Sequence, residues 1–261
     1  MPITILTWNV YHGNIAGNPP GMQTPMQRIS MIANICDVNN IDIICLQEIP
    51  GGLLDPLVRF GVPAPGSPIP AGLPANVLAD YTILQALSEN NSNTPQATPT
   101  NDGYLILYRT AVFPGLVNFD YFEEDDFKNL IGAFLRPPVE VQLTDVAGNT
   151  IHVMNWHAEA DGGGAGWSLE ILNSFIDNLM TGPPYTIVAG DFNVRGDFGT
   201  VFGGQANFTN FDNVFATYPG AAGNTISGLD HILVNGNATP ILEMLLNFRS
   251  DAYHYPIAAE I

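Results

Sequence analysis

The sequence predicts an α+β or layered-sandwich fold, on three observations. Short apolar strands recur along the whole chain, only two segments carry a clear helical period, and strands and helices do not alternate as in a doubly wound sheet. The 46% hydrophobic share of the 261 residues supplies a core and excludes a disordered chain. Gly 26 and Pro 21 imply many turns but are too scattered for a fibrous chain. No linker separates two compositions, so residues 1–261 are expected to form one domain.

The elements follow in order. Residues 4–10 read as a strand rich in Ile, Leu, Val and aromatics. Residues 25–38 set Met26, Ile29, Ile32, Ala33 and Cys36 at helical spacing. Residues 42–47 form a second strand, and the Pro- and Gly-rich residues 50–74 a long loop. Strands at 81–87 and 104–108 are split by the polar stretch 90–101, read as a loop. The acidic run 123–126 is a solvated loop. Residues 139–143 and 150–156 alternate around Ala147-Gly148-Asn149, the pattern of a β-hairpin. Residues 167–180 form the second helix, with Leu169, Leu172, Phe175, Ile176 and Leu179 along one face. Strands at 186–189, 229–234, 241–246 and 256–261 complete the chain.

Charge narrows the function. Only 12% of residues are charged, and 25 acidic against 7 basic residues give a net −18, with Lys128 the single lysine. This excludes a non-specific nucleic-acid coat, whose affinity comes from neutralising phosphates, but leaves room for a nuclease with a few placed arginines and a metal ion. Lysine poverty suits a protein delivered into a host cell, where few ubiquitin acceptors are an advantage. No apolar run reaches the roughly 18 residues of a membrane span, and no basic, apolar leader opens the chain. A cytoplasmic protein, or a mature form whose leader was removed, is expected. Cys36 and Cys45 are read as buried thiols rather than a disulfide framework.

Polar residues cluster at strand ends. Asn9 ends the first strand, Glu48 the second, and His157 follows 150–156. Asp191 and Asn193 follow 186–189, Asp230 begins a late strand, and Asp251 and His254 precede the last. Loops at strand ends can converge such groups on one point. Carboxylates and amides without a cysteine or histidine ligand cluster suit a hard cation such as Mg²⁺. Two histidines and spare carboxylates supply acid, base and orienting roles. There is no G-x-S-x-G elbow, Walker loop, C-x-x-C or H-E-x-x-H, so covalent serine or cysteine chemistry has no support. His231 neighbours Asp230 on a strand and so faces the other side; His231 and the mid-strand His152 are read as structural, and Trp8 and Trp156 as core anchors.

Thr7-Trp8-Asn9, Leu46-Gln47-Glu48, Asn155-Trp156-His157, Gly190-Asp191-Phe192-Asn193, Leu229-Asp230-His231 and Ser250-Asp251 with His254-Tyr255-Pro256 occur in order along the chain. Together they resemble the endonuclease/exonuclease/phosphatase superfamily. The stretches at 104–109 and 136–139 are similar to deoxyribonuclease I. Those at 135–137 and 157–163, with the following helix, are similar to the catalytic subunit of cytolethal distending toxin.

The resemblance implies a four-layered α/β sandwich: two mixed β-sheets packed face to face, helices outside, and the active site where strand-end loops meet. It implies Glu48 as main metal ligand with Asn9 assisting and Asp251 touching metal or water, the metal being Mg²⁺ or Mn²⁺. Asp191 would orient or deprotonate the attacking water, and Asn193 would hold water or phosphate. His157 would bind the scissile phosphate and move protons, with Asp102 orienting it. Asp230 would orient His254, Arg136 would grip a phosphate, and Arg109 would support the site. Where the family ends in Ser-Asp-His, Ala252 and Tyr253 intervene here. A bulge would keep His254 facing the site; displacement of Asp251 is the other outcome.

The leading expectation is a toxin-like Mg²⁺-dependent DNase. The alternatives are a phosphatase of inositol phosphates or phosphoinositides, motivated by Arg195 two residues after Asn193, and a scaffold that binds a partner without catalysis. Resemblance to secreted nucleases and toxins favours an extracellular or delivered protein over a cytoplasmic one. Delivery subunits are not legible in this chain.

Overall fold

A computed structural model describes residues 2–10, 24–87, 102–121, 138–158, 185–193, 208–210, 218–219, 226–227, 230–235, 239–240 and 256–261. The elements run β1 (Thr4–Asn9), α1 (Pro25–Val38), β2 (Ile43–Pro50), a 3-10 turn at Gly51–Leu53, β3 (Phe60–Gly61), α2 (Pro68–Gly72), α3 (Ala75–Asp80), β4 (Tyr81–Leu87), β5 (Asp102–Arg109) and β6 (Gly115–Tyr121). They continue with β7 (Val139–Thr144), β8 (Thr150–His157), β9 (Tyr185–Asp191), β10 (Phe208–Asn210), β11 (Tyr218–Pro219), β12 (Ile226–Ser227), β13 (Asp230–Asn235), β14 (Thr239–Pro240) and β15 (Ile257–Glu260).

Two mixed sheets carry the fold. The first is ordered β14-β15-β1-β2-β5-β4-β3, the second β10-β13-β9-β8-β7-β6, and β11 pairs with β12 separately. Each large sheet is built around one parallel pair, β1–β2 in the first and β8–β9 in the second, flanked by antiparallel neighbours. The two pairs face each other across the sandwich. Carboxyl ends of four central strands are thereby gathered at one edge.

Strict alternation builds the layers. Ile3 just before β1, Ile5 on it, Ile43 and Cys45 on β2, and Ile106 on β5 point inward. They meet Val139, Val141, Ile151, Val153, Ile187, Ala189, Ile232 and Val234 of the second sheet. The opposite face of the first sheet, including Leu6, Trp8, Ile44, Leu46 and Leu105, packs under α1, α2 and α3. A one-residue slip would exchange these faces, and each buried Leu or Ile is worth about 1.5–3 kcal/mol, so the register is strongly fixed. This is the predicted sandwich. The outer layer expected over the second sheet falls in residues 167–180, outside the described residues, as do the segments 90–101, 123–126 and 241–246.

α1 matches the expected helix residue for residue. Thr24 and Gln27 form a capping box, Pro25 occupies the first turn, and Ile29, Ile32, Ala33 and Cys36 are buried. The hairpin is also where expected. The Asp145 carboxylate accepts from the backbone N–H of Ala147 and Asn149 and from the Asn149 side chain, and Gly148 takes φ 87°. Residues 50–74 are more ordered than the expected long loop, containing the 3-10 turn, β3 and α2. The reason is a buried tie that composition hides. Asp55 accepts from the N–H of Leu57 and Ala64, while Gln85 of β4 donates to the carbonyls of Asp55 and Val58. β6 was not expected from the sequence: its burial alternation is broken by a register shift between Leu116 and Asn118.

Cys36 and Cys45 are free, buried thiols, as expected. No helix among the described residues is long and apolar enough to cross a membrane.

Candidate active site

The inward faces of the central strands change from apolar to polar at one level. Above Ile5, Cys45, Val153 and Ala189 come Thr7, Gln47, Asn155 and Asp191, and then Asn9 and His157. Thr7, Asn9, Gln47, Asn155, His157, Asp191 and Asp230 are all buried. Six of the seven lie within the last strand positions before a carboxyl end; Asp230 opens β13, which runs the other way.

Glu48 reaches this face by a β-bulge. The β2–β5 ladder pairs Leu46 with Leu105 and resumes at Ile49 with Gly103, so Gln47 and Glu48 together oppose only Tyr104. Glu48 adopts φ 53°, unusual for a residue with a side chain. Leu46 and Ile49 both remain in the helix-side core, while Gln47 and Glu48 both engage the sandwich interior.

Four side chains from four strands then meet. Asn9 Nδ2 donates to Glu48 Oε1 and to Asp191 Oδ2, both at 2.9 Å. His157 Nε2 lies 3.4 Å from Glu48 Oε1 and 3.9 Å from Asp191 Oδ2. Ligand atoms of Glu48, His157 and Asp191 all lie within 4.8 Å of one another, a spacing that could hold a metal ion.

The surrounding backbone fixes this group. Asn193, at φ 51°, donates its backbone N–H to Asp191 Oδ1 at 2.9 Å and its Nδ2 to Ala158 O at 2.8 Å. Both Asp191 oxygens are thus held, Oδ2 by Asn9 and Oδ1 by Asn193. The Tyr104 hydroxyl accepts the His157 backbone N–H at 3.3 Å. Gly190 pairs with Trp156 across β8–β9, and a Cβ there would sit 1.8 Å from the Trp156 carbonyl oxygen.

The structure brings Asn9, Glu48, His157, Asp191 and Asn193 of the expected set together. Asp230 lies directly opposite Asp191 in the β9–β13 ladder. Asp102 begins β5 opposite Pro50, on the same face as Tyr104 by strand alternation. Arg136, Asp251 and His254 lie outside the described residues.

Arg109 does not join the site, contrary to expectation. It ends β5, seven residues from Asp102, or about 23 Å along an extended strand. There it donates to the carbonyls of Ile41 and Asp37, pairs with the Asp37 carboxylate at 3.1 Å, and lies over the Tyr81 ring. A single chain position could not show that the strand runs away from the site.

His231, Phe192 and Trp156 pack together on the other face of the second sheet, and His152 pairs with Glu140 at 2.6 Å, as the structural reading required. Trp8 is fully buried in the helix-side core. Gln47, Asn155 and Tyr104 support the site but were assigned no role from the sequence. Their one legible signal was a polar residue at the inward end of an apolar strand.

The family model for the endonuclease/exonuclease/phosphatase family matches residues 6–249. No curated protein sequence matches the chain. Among solved structures, an endonuclease/exonuclease/phosphatase from Bacteroides vulgatus superimposes with TM-score 0.66 at 16% identity, covering 100% of this chain and 98% of the other. The Bacteroides thetaiotaomicron mannosyl-6-phosphatase gives 0.65 at 16% identity, covering 99% of each chain. Truncated TDP2 from Caenorhabditis elegans gives 0.62 at 13% identity, covering 99% of this chain and 96% of the other. Identities this low bear on the fold. With the family model spanning nearly the whole chain, the protein belongs to the endonuclease/exonuclease/phosphatase family, whose members are metal-dependent phosphoesterases.

Proposed function

We propose that this chain is a Mg²⁺-dependent phosphodiesterase that hydrolyses DNA. The observation that carries the reading is the convergence of Glu48, Asp191 and His157 around Asn9 at the carboxyl ends of four strands. The donor set fits the metal: the grouped ligand atoms are two carboxylates and the His157 imidazole, the carboxylates favour a hard cation, and no thiolate among the described residues competes for a soft one. Bound there, the cation would reduce repulsion between phosphate and water and stabilise charge in the transition state.

The chain's own residues would do the rest. Glu48 would hold the cation, with Asn9 fixing its carboxylate. Asp191, gripped on both oxygens, would orient or deprotonate the water. His157 Nε2, facing two carboxylates, would bind the phosphate and move a proton. By the family resemblance, Asp102 would orient His157, Asp230 would orient His254, and Asp251, Asn193 and Arg136 would hold metal, water and phosphate.

The DNA assignment rests on the stretches similar to nuclease branches at 104–109, 136–139 and 157–163. One observation favours a phosphatase of small phosphate esters instead. Of only 7 basic residues, Arg28 is buried in α1 and Arg109 is spent on Asp37. That leaves few cations to follow a nucleic-acid backbone.

Plasmid nicking and phosphate release from inositol phosphates, measured side by side with Mg²⁺, separate the two readings. We expect nicking that chelator abolishes and that His157→Ala reduces by about 10²-fold or more. A clean preparation that releases phosphate but never nicks at any salt rejects the DNA assignment. Absence of any Mg²⁺ or Mn²⁺ site by calorimetry favours a non-catalytic scaffold.

A further inference from the structure

We propose that Asn155 is a positioning residue for Glu48, its amide holding from the second sheet the bulge in the first that aims the carboxylate. The functional consequence rests on reading Glu48 as a metal ligand; the geometry does not.

A bulge that sets Gln47 and Glu48 against Tyr104 interrupts the β2–β5 ladder. Asn155 Nδ2 crosses the sandwich to donate to Leu46 O at 3.1 Å and Leu105 O at 3.2 Å. These carbonyls belong to the last regular pair before the bulge, one on each strand. A single amide therefore spans both strands where their own pairing stops.

The amide is itself held. Gln47 Nε2 donates to Asn155 Oδ1 at 2.6 Å, to Thr7 Oγ1 at 2.9 Å and to Cys45 O at 3.2 Å. Neither amide can be reversed, because its oxygen would then face carbonyl oxygens. Gln47 and Asn155 are both fully buried, and Gln47 Oε1 accepts no hydrogen bond among the described residues. A buried acceptor left so costs about 1–3 kcal/mol, and an apolar pair of similar volume would avoid that cost. What the amide pair supplies is geometry. Without it β2 and β5 can close into a regular ladder, which turns Glu48 to the helix side of the sheet, away from His157.

Asn155→Leu in the full-length protein tests this. Three measurements are made: Mn²⁺ titration by calorimetry, thermal unfolding in chelator, and a crystal structure of the metal-free variant. We expect Mn²⁺ affinity to fall about 10–100-fold, the range for residues that orient metal ligands, with the Glu48 carboxylate withdrawn from Asn9. A merely structural Asn155 would lower the unfolding temperature and leave affinity unchanged. A folded variant with wild-type affinity, and with Glu48 still near φ 53°, overturns the proposal. If the wild-type protein takes up no Mn²⁺, the metal reading fails separately. The variant crystal structure then decides: Glu48 unmoved refutes the positioning role, and Glu48 turned outward supports it. Should Asn155→Leu not fold, Gln47→Met removes the donor to Asn155 Oδ1 and is judged by the same outcomes.

Discussion

A methyl group at residue 190 should pry β8 and β9 apart beside the Glu48, His157 and Asp191 group. In Gly190→Ala the new Cβ would meet the Trp156 carbonyl oxygen at 1.8 Å, its carbon at 2.8 Å and its nitrogen at 3.0 Å. These are backbone atoms of the neighbouring strand, so no side-chain rotation relieves the contact. Reaching 3.0 Å, below which real Cβ contacts essentially never occur, requires a displacement of about 1.2 Å. The backbone adds to this, because Gly190 holds φ 150°. Such a conformation costs a residue with a side chain about 1–3 kcal/mol, overpacking a further 1–3 kcal/mol. About 4 kcal/mol of lost stability is expected, which lowers the unfolding temperature by about 10 °C in a chain of this size. The next pair along the ladder is His157 with Asp191. A misplacement of about 1 Å there is expected to cost about 10²-fold in turnover of the folded fraction. Circular dichroism melting, with hydrolysis normalised to folded protein, reads both effects. A variant melting within about 2 °C of wild type at full activity would refute the close β8–β9 approach.

Three further outcomes follow from residues outside the Glu48, His157 and Asp191 group. Arg109→Leu should leave Asp37 with only the Asn76 amide and the Ile41 carbonyl with only the Tyr81 hydroxyl among these partners, and cost about 1–2 kcal/mol, discounted for partial exposure, with turnover per folded molecule unchanged. Lost turnover at unchanged stability would return this arginine to the active site. Burial pushes the thiols of Cys36 and Cys45 well above the usual range, so neither should react with a disulfide reagent until the protein unfolds. Because the folded values are raised, their contribution to stability is full below the unfolded thiol pKa of about 8.5 and is lost as pH rises above it. The phenol of Tyr81, also pushed up by burial, adds the same sign above about pH 10. A urea midpoint that rises between about pH 8 and 10.5 would contradict this.

Much of this protein could be read from sequence because the relevant signals are local. The helical period of Ile29, Ile32 and Cys36 and the capping pair Thr24 and Gln27 mark α1 without reference to the rest of the chain. Asn9, Glu48, His157 and Asp191 were visible as polar residues closing apolar strands, and the order of their motifs did the rest. What escaped depends on contacts between distant segments. Asp55 and Gln85 lie 30 residues apart, and nothing in either neighbourhood announces that they order the 50–74 segment. β6 leaves Leu116 and Val117 exposed beside a bulge and returns only Phe119 and Tyr121 to the core, so alternation gave too short a signal. Arg109 was expected at the site because the stretch 104–109 resembles deoxyribonuclease I. The direction of β5 places it at the far edge, and strand direction follows from pairing rather than composition.

The constellation belongs to neither sheet. Asn9 and Glu48 come from the first and His157 and Asp191 from the second, and sliding the seam by one residue, about 3.3 Å, would scatter them. Synthesis runs from the amino end, so a nascent chain lacks the fourth of these side chains until Asp191 has been added and β9 has docked. The spacing of Glu48, His157 and Asp191 that could hold an ion therefore cannot exist before the two sheets have met.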